Sequence, residues 1–143
     1  MSEVVVVRWI AASPATVFSF FTDAERWTAW QGVGGEVDAR ADGLLRVVMP
    51  DSAVASGRFV EVAPPRRIVF TWGWEGNGLP IRPGSSTVTI DLEPVDGGTM
   101  LRLTHTGLEP DEMRELHRSG WQRYLERLGR SATGNDPGPD QYS

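Results

Sequence analysis

The chain has no cysteine and no lysine among its 143 residues. Without cysteine there is no disulfide, no thiolate nucleophile and no thiolate metal site. Without lysine there is no Schiff-base chemistry on a side-chain amine, and all 14 basic residues are arginine. Histidine is scarce: His105 and His117 are the only two. Two imidazoles without a third ligand beside them do not define a metal centre, so neither a metal nor a cofactor is expected. No apolar run approaches the ~20 residues of a membrane span. The opening MSEVVVVRWI lacks a basic leader followed by a long apolar stretch. The expectation is a cytoplasmic domain with no signal peptide and no integral membrane association. The net charge of −5 leaves no basic face for phosphates and argues against nucleic acid. A GxSxG elbow, a P-loop and a dinucleotide fingerprint are also missing.

What is present suits one folded domain. Hydrophobic residues make up 40% of the chain and charged residues 23%, enough to build a core. EVVVVRWIA is β-branched and predicts a strand. In SPATVFSFFTD, Ser13 suits an N-cap and Pro14 the first helical position, so a short helix follows. A second short helix is expected near Ala24–Trp30, broken by a flexible GVGG. EVDAR and LLRVVM predict strands turned at ADG, and SGRFVEV with RRIVFTWGW predicts a hairpin. STVTIDLEP with GTMLRLTHTGL predicts another, turned at VDGG. Pro110–Arg130 predicts one long helix. Strands in consecutive hairpins with helices at the chain's two ends give an α+β fold with an antiparallel sheet. Residues 1–130 are expected to form the single domain. Residues 131–143, rich in Gly, Pro and Asp, are expected to be a disordered tail.

The double proline, Pro64 and Pro65, cannot donate to a ladder and fixes a turn. Side chains alternate across a strand, so Ile68, Phe70, Trp72 and Trp74 share an inward face. Val88, Ile90 and Leu92 share another, as do Leu101, Leu103 and His105. On the long helix, Arg114, His117, Trp121, Tyr124, Leu125 and Leu128 fall on one side. Gly120 sits at that stripe's edge and is expected to let the helix approach the sheet closely. Trp72 and Trp74 favour cavity lining, since a buried indole N–H needs an acceptor that a cavity can supply. For Trp30 and Trp121, core filling and cavity lining weigh equally. His105 and His117 both point inward, as general acid/base groups or as satisfied core histidines. Glu61 becomes a buried carboxylate if it shares the inward face with Phe59. Arg8 reads as a cavity arginine or, more simply, a snorkelling edge residue.

Together, IAASPATVFSFFTDAERWTAW, GRFVEVAPPRRIVFTWGW, STVTIDLEPVDGGTMLRLTHTGL and HRSGWQRYLERL resemble the SRPBCC (START-like, helix-grip) superfamily. Within it they are most like homologues of the heat-shock-protein-90 ATPase activator. The resemblance covers nearly all of Val4–Leu128. It implies a curved antiparallel sheet wrapped around the C-terminal helix, with a hydrophobic cavity between them. Asp23-Ala24 departs from the usual Asp-Pro, and Gly32–Pro50 is shortened. The function it implies is binding of a small hydrophobic or amphipathic molecule, with Trp30, Phe59, Phe70, Trp72, Trp74, His105, His117 and Trp121 as ligand-binding residues. Two alternatives stay open. One is a polyketide cyclase or hydrolase using a cavity histidine. The other is a protein-interaction module regulating a chaperone ATPase or stress response, with a homodimer or a chaperone as partner. No particular catalytic activity is read from the residues.

Overall fold

In the computed structural model, which describes residues 3–76 and 78–140, the β-branched start forms strand β1 (Val4–Ile10). The Ser13 hydroxyl accepts the N–H of Thr16 and caps α1 (Pro14–Ser19), with Pro14 where its missing N–H costs nothing. Asp23 caps α2 (Ala24–Trp27) through the N–H of Arg26. α2 is shorter than expected. After Trp27 the backbone tightens, Trp30 N–H donating to the Trp27 carbonyl, and the Trp30 indole turns in against Phe21. Strands β2 (Gly34–Val37), β3 (Leu44–Val48), β4 (Val54–Ala63), β5 (Arg67–Trp72), β6 (Trp74–Glu75), β7 (Ser86–Val95) and β8 (Gly98–Thr106) follow, and then α3 (Asp111–Ala132).

The sheet is antiparallel and runs β1-β8-β7-β5-β4-β3-β2, with β6 paired to β4 off this path. With α3 across its concave face, this is the α+β helix-grip arrangement. The double proline turns the β4–β5 hairpin, Ala63 pairing with Arg67. Three local features depart from simple alternation. Gly34 and Gly35 are part of β2 and not a flexible connection; a Cβ on Gly35 would lie 2.1 Å from the Arg46 carbonyl oxygen, so close pairing with β3 requires glycine. A bulge follows Phe59, which pairs with Phe70 while Glu61 pairs with Val69. The extra residue keeps Phe59 in the core and turns Glu61 outward, where it meets Arg67 at 3.4 Å. Glu61 is therefore not a buried carboxylate. Finally, the strand expected to continue through Trp74 breaks at Gly73. A Cβ there would lie 1.7 Å from the Arg82 carbonyl oxygen, and Trp74 pairs with Ala55 through β6 instead.

The inward rows match the expected faces. Val6, Leu103, Ile90 and Ile68 lie side by side, as do Val4, His105, Val88, Phe70 and Phe59. All are buried. Trp121, Tyr124, Leu125 and Leu128 of α3 cover them, with Val17, Phe18 and Phe21 at the other end. Arg8 is exposed and lies beside Gly129, an edge position. Gly120 does not serve close approach, since a Cβ there meets nothing within 4 Å.

The tail expectation is corrected for residues 131–140; residues 141–143 lie outside the described residues. α3 itself runs to Ala132. Beyond it, the buried Asp140 carboxylate accepts the Gly32 N–H at 2.8 Å and the Tyr124 hydroxyl at 2.9 Å. Arg127 donates to the carbonyls of Trp30, Pro137 and Gly138. Composition alone misses this, because the donors that hold the segment come from α3 and from the loop before β2. Hydrogen bonds to a charged group contribute on the order of 1.5–3 kcal/mol. Replacing Asp140 with alanine is therefore expected to lower Tm by roughly 5 °C. Thermal unfolding checks this, and an unchanged Tm would show that the segment adds nothing.

Candidate functional site

Aromatic rings fill the concave face in an unbroken path. Trp30 stacks on Trp27 at 5.3 Å, Trp27 meets Phe70 at 5.6 Å, and Phe70 meets Trp72 at 5.9 Å. Trp72 then touches Trp121 at 5.3 Å and Trp74 at 5.9 Å. The strand period delivers Phe70 and Trp72 to this face, and the helical stripe delivers Trp121. Trp74 arrives by the break at Gly73, which sets its ring edge-on to Trp72.

Each indole donor on this path must find an acceptor. Trp27 donates to the Gln31 side chain and Trp30 to the Phe20 carbonyl. The two histidines take two more. Trp121 donates to His105 Nδ1 at 2.9 Å, which leaves His105 Nε2–H to donate to the Ser86 hydroxyl at 2.8 Å. Ser86 in turn donates to the Trp72 carbonyl at 2.7 Å. His117 Nδ1–H donates to the Met113 carbonyl at 2.7 Å, and its Nε2 accepts Trp74 Nε1–H at 3.0 Å. Both tautomers follow from this donor parity, and both rings are neutral. Burial pushes His105 down from 6.5 to about 3, with His117 adding to the effect. Burial also lowers His117, against an opposing pull from the Met113 carbonyl.

Beside this wall lies a pocket of about 280 Å³. Of the candidate ligand-binding residues, Trp72, Trp74, His117 and Trp121 line it. The other candidate residues sit elsewhere. His105 lies one layer behind, while Trp30, Phe59 and Phe70 are sealed in the core. Sequence reasoning missed Leu79, Leu116 and Gly120, which also line the pocket, with Tyr124 and Gln31 towards α2. Leu79 belongs to the irregular segment after β6, which no period describes. Ser86 was missed too, although a polar residue in register with inward Val88, Ile90 and Leu92 was a usable signal. Burial, and then its bond to Asp140, hold the Tyr124 hydroxyl above its usual range. Trp72 Nε1 is buried and has no hydrogen-bond partner among the described residues. Those residues hold no group of three or more His, Cys, Asp or Glu side chains arranged to bind a metal, and none of their helices is long and apolar enough to cross a membrane.

A family profile described as activator of Hsp90 ATPase homolog 1-like protein matches residues 11–132. An AHSA1-like protein of Rhizobium etli, solved in solution, is 43% identical, with 99% of this chain and 89% of that one covered at a TM-score of 0.74. The Aha1 dimer of Colwellia psychrerythraea superposes at a TM-score of 0.80 over 96% of this chain and 100% of that one, with 17% identity. DynU16, a protein in the dynemicin biosynthetic locus, superposes at 0.83 with 22% identity, covering 99% of this chain and 50% of its own. At these identities the last two likenesses show the fold alone. No curated protein matches the chain.

The neutral histidines set a pH dependence. Below their ordinary value of 6.5 the unfolded chain takes up protons that the buried rings refuse, so stability present at pH 7 is lost as pH falls from 6.5 towards 3. The slope is up to about 1.4 kcal/mol per pH unit for each histidine. Urea unfolding between pH 7.5 and 5 should show this loss, and His105→Gln should reduce the slope by roughly half. A wild-type stability that stays level across this range contradicts the assignment.

Proposed function

The chain belongs to the activator of Hsp90 ATPase homolog 1-like family, and on that premise we propose that it binds a small, mainly apolar molecule in the pocket between the sheet and α3. One observation carries the reading. The pocket is walled by rigid indoles whose supporting histidines are fully committed, so the wall is built and not fluid. A ligand hiding roughly 300 Å² of apolar surface gains ~7 kcal/mol gross at ~25 cal/mol per Å². Lost freedom offsets several kcal/mol of that, so micromolar affinity is expected.

The hydrolase or cyclase reading finds less support. A general base needs an available lone pair near substrate, and a general acid an available proton. In both imbedded imidazoles the lone pair already accepts an indole N–H and the proton is already donated. The family's description favours a second reading, interaction with a chaperone ATPase. Recovery of the chaperone with the purified protein, undisturbed by a filled pocket, would favour that reading over ligand binding.

The neutral dye N-phenyl-1-naphthylamine tests the pocket. It should quench tryptophan emission and raise Tm in the wild type. Gly120 supplies the control, because its Cβ position is open and it lines the pocket. Gly120→Ala should stabilise the protein by up to ~1 kcal/mol by removing a helix-interior glycine. Gly120→Leu should weaken dye binding at least about 10-fold (on the order of 1.4 kcal/mol) without lowering Tm. A dye that binds both equally is not in this pocket.

A further inference from the structure

We propose that the Trp72 indole N–H is the polar anchor of the pocket, and that the ligand class is an uncharged, mainly apolar molecule carrying one accepting oxygen, such as a ketone. This rests on the pocket-binding reading above. Trp72 is 1% exposed, lines the pocket, and its Nε1 has no partner among the described residues. Buried donors are nearly always matched, so an unmatched one at a pocket wall marks where a ligand acceptor belongs. Its neighbours cannot take that role. Trp74 Nε1–H is spent on His117, Trp121 Nε1–H on His105, and His117 Nδ1–H on the Met113 carbonyl.

The charge of the ligand follows from the same bonds. Both imidazoles are neutral, so the indole wall itself offers an anion no positive partner, and the two charged residues in the pocket lining, Arg123 and Asp51, carry opposite signs. A carboxylate placed on Trp72 would lose its hydration in return for one N–H. An ammonium would set donor against donor. A carbonyl oxygen is satisfied by the one N–H that Trp72 offers, while the rest of the molecule packs on the indoles and over Gly120.

The experiment compares 2-acetylnaphthalene with 2-isopropylnaphthalene, which share a shape and differ in the accepting oxygen, on the wild type and on Trp72→Phe. The ratio of the two affinities, ketone over hydrocarbon, is expected to fall about 10-fold in Trp72→Phe, which keeps a ring but loses the donor. A ratio unchanged within about twofold overturns the anchor. A second measurement needs no variant. In the wild type the Trp72 indole N–H proton should move downfield on adding the ketone and not on adding the hydrocarbon; the same shift with both, or with neither bound compound, also overturns it. Sodium 2-naphthoate at pH 7.5 should bind at least about 10-fold more weakly than the ketone, and tighter binding overturns the uncharged class. If neither neutral compound binds the wild type, the pocket reading itself fails and the anchor falls with it.

Discussion

An indole N–H can donate and nothing else, so every tryptophan placed in a dry interior creates a demand for an acceptor. The concave face of this sheet carries a row of them, and much of the polar architecture exists to meet that demand. His105 and His117 are the acceptors for Trp121 and Trp74, and Gln31 is the acceptor for Trp27. The two histidines pass their own donors onward, to Ser86 or to the Met113 carbonyl, until a backbone oxygen ends each chain. The chain through His105 joins β5, β7, β8 and α3, and the chain through His117 ties β6 to α3. A single added proton on either imidazole would abolish one bond and leave two donors facing each other. Among the described residues, Trp72 alone in this row keeps its donor unspent.

How much of this was legible beforehand depends on whether the rule is local. The Ser13 cap with Pro14, the double-proline hairpin, the inward faces of β5, β7 and β8, and the α3 stripe all follow from residues within a few positions of one another. The structure follows them. The bulge at Val60 did not announce itself, because Phe59 and Glu61 satisfy the same alternation until the partner strand fixes the register. The break at Gly73 depends on the approach of Arg82, and the docking of Asp140 on a backbone N–H at Gly32. Neither partner is near in sequence. For the candidate site the outcome is mixed for the same reason. Trp72, His117 and Trp121 converge on the pocket because periodicity places them, and Trp74 joins them through the break at Gly73. Phe59, Phe70 and Trp30 share the apolar chemistry and even the face, yet they fall where neighbours close over them. Alternation gives the side of a sheet but not the depth at which packing stops.

The family and the fold agree along most of the chain, but a helix-grip scaffold is compatible with many activities. What distinguishes this chain is the particular way its pocket wall is assembled. Gly120 withholds a side chain where space is left, and the segment beyond α3 braces Tyr124 from behind through Asp140. Pocket volume and pocket rigidity are thus set by different residues.

The position of α3 also has a consequence for synthesis. Every strand precedes it, and Asp140 comes later still, so a ribosome releases the complete sheet before the element that covers it. Until Trp121, Leu125 and Leu128 emerge, the concave face presents its row of indoles and phenylalanines uncovered, and His105 has no indole to accept. The nascent chain therefore passes through a stage with a large aromatic surface and open strand edges, the kind of species on which holding factors act and from which aggregates grow. Folding of this domain is completed from its C-terminal side.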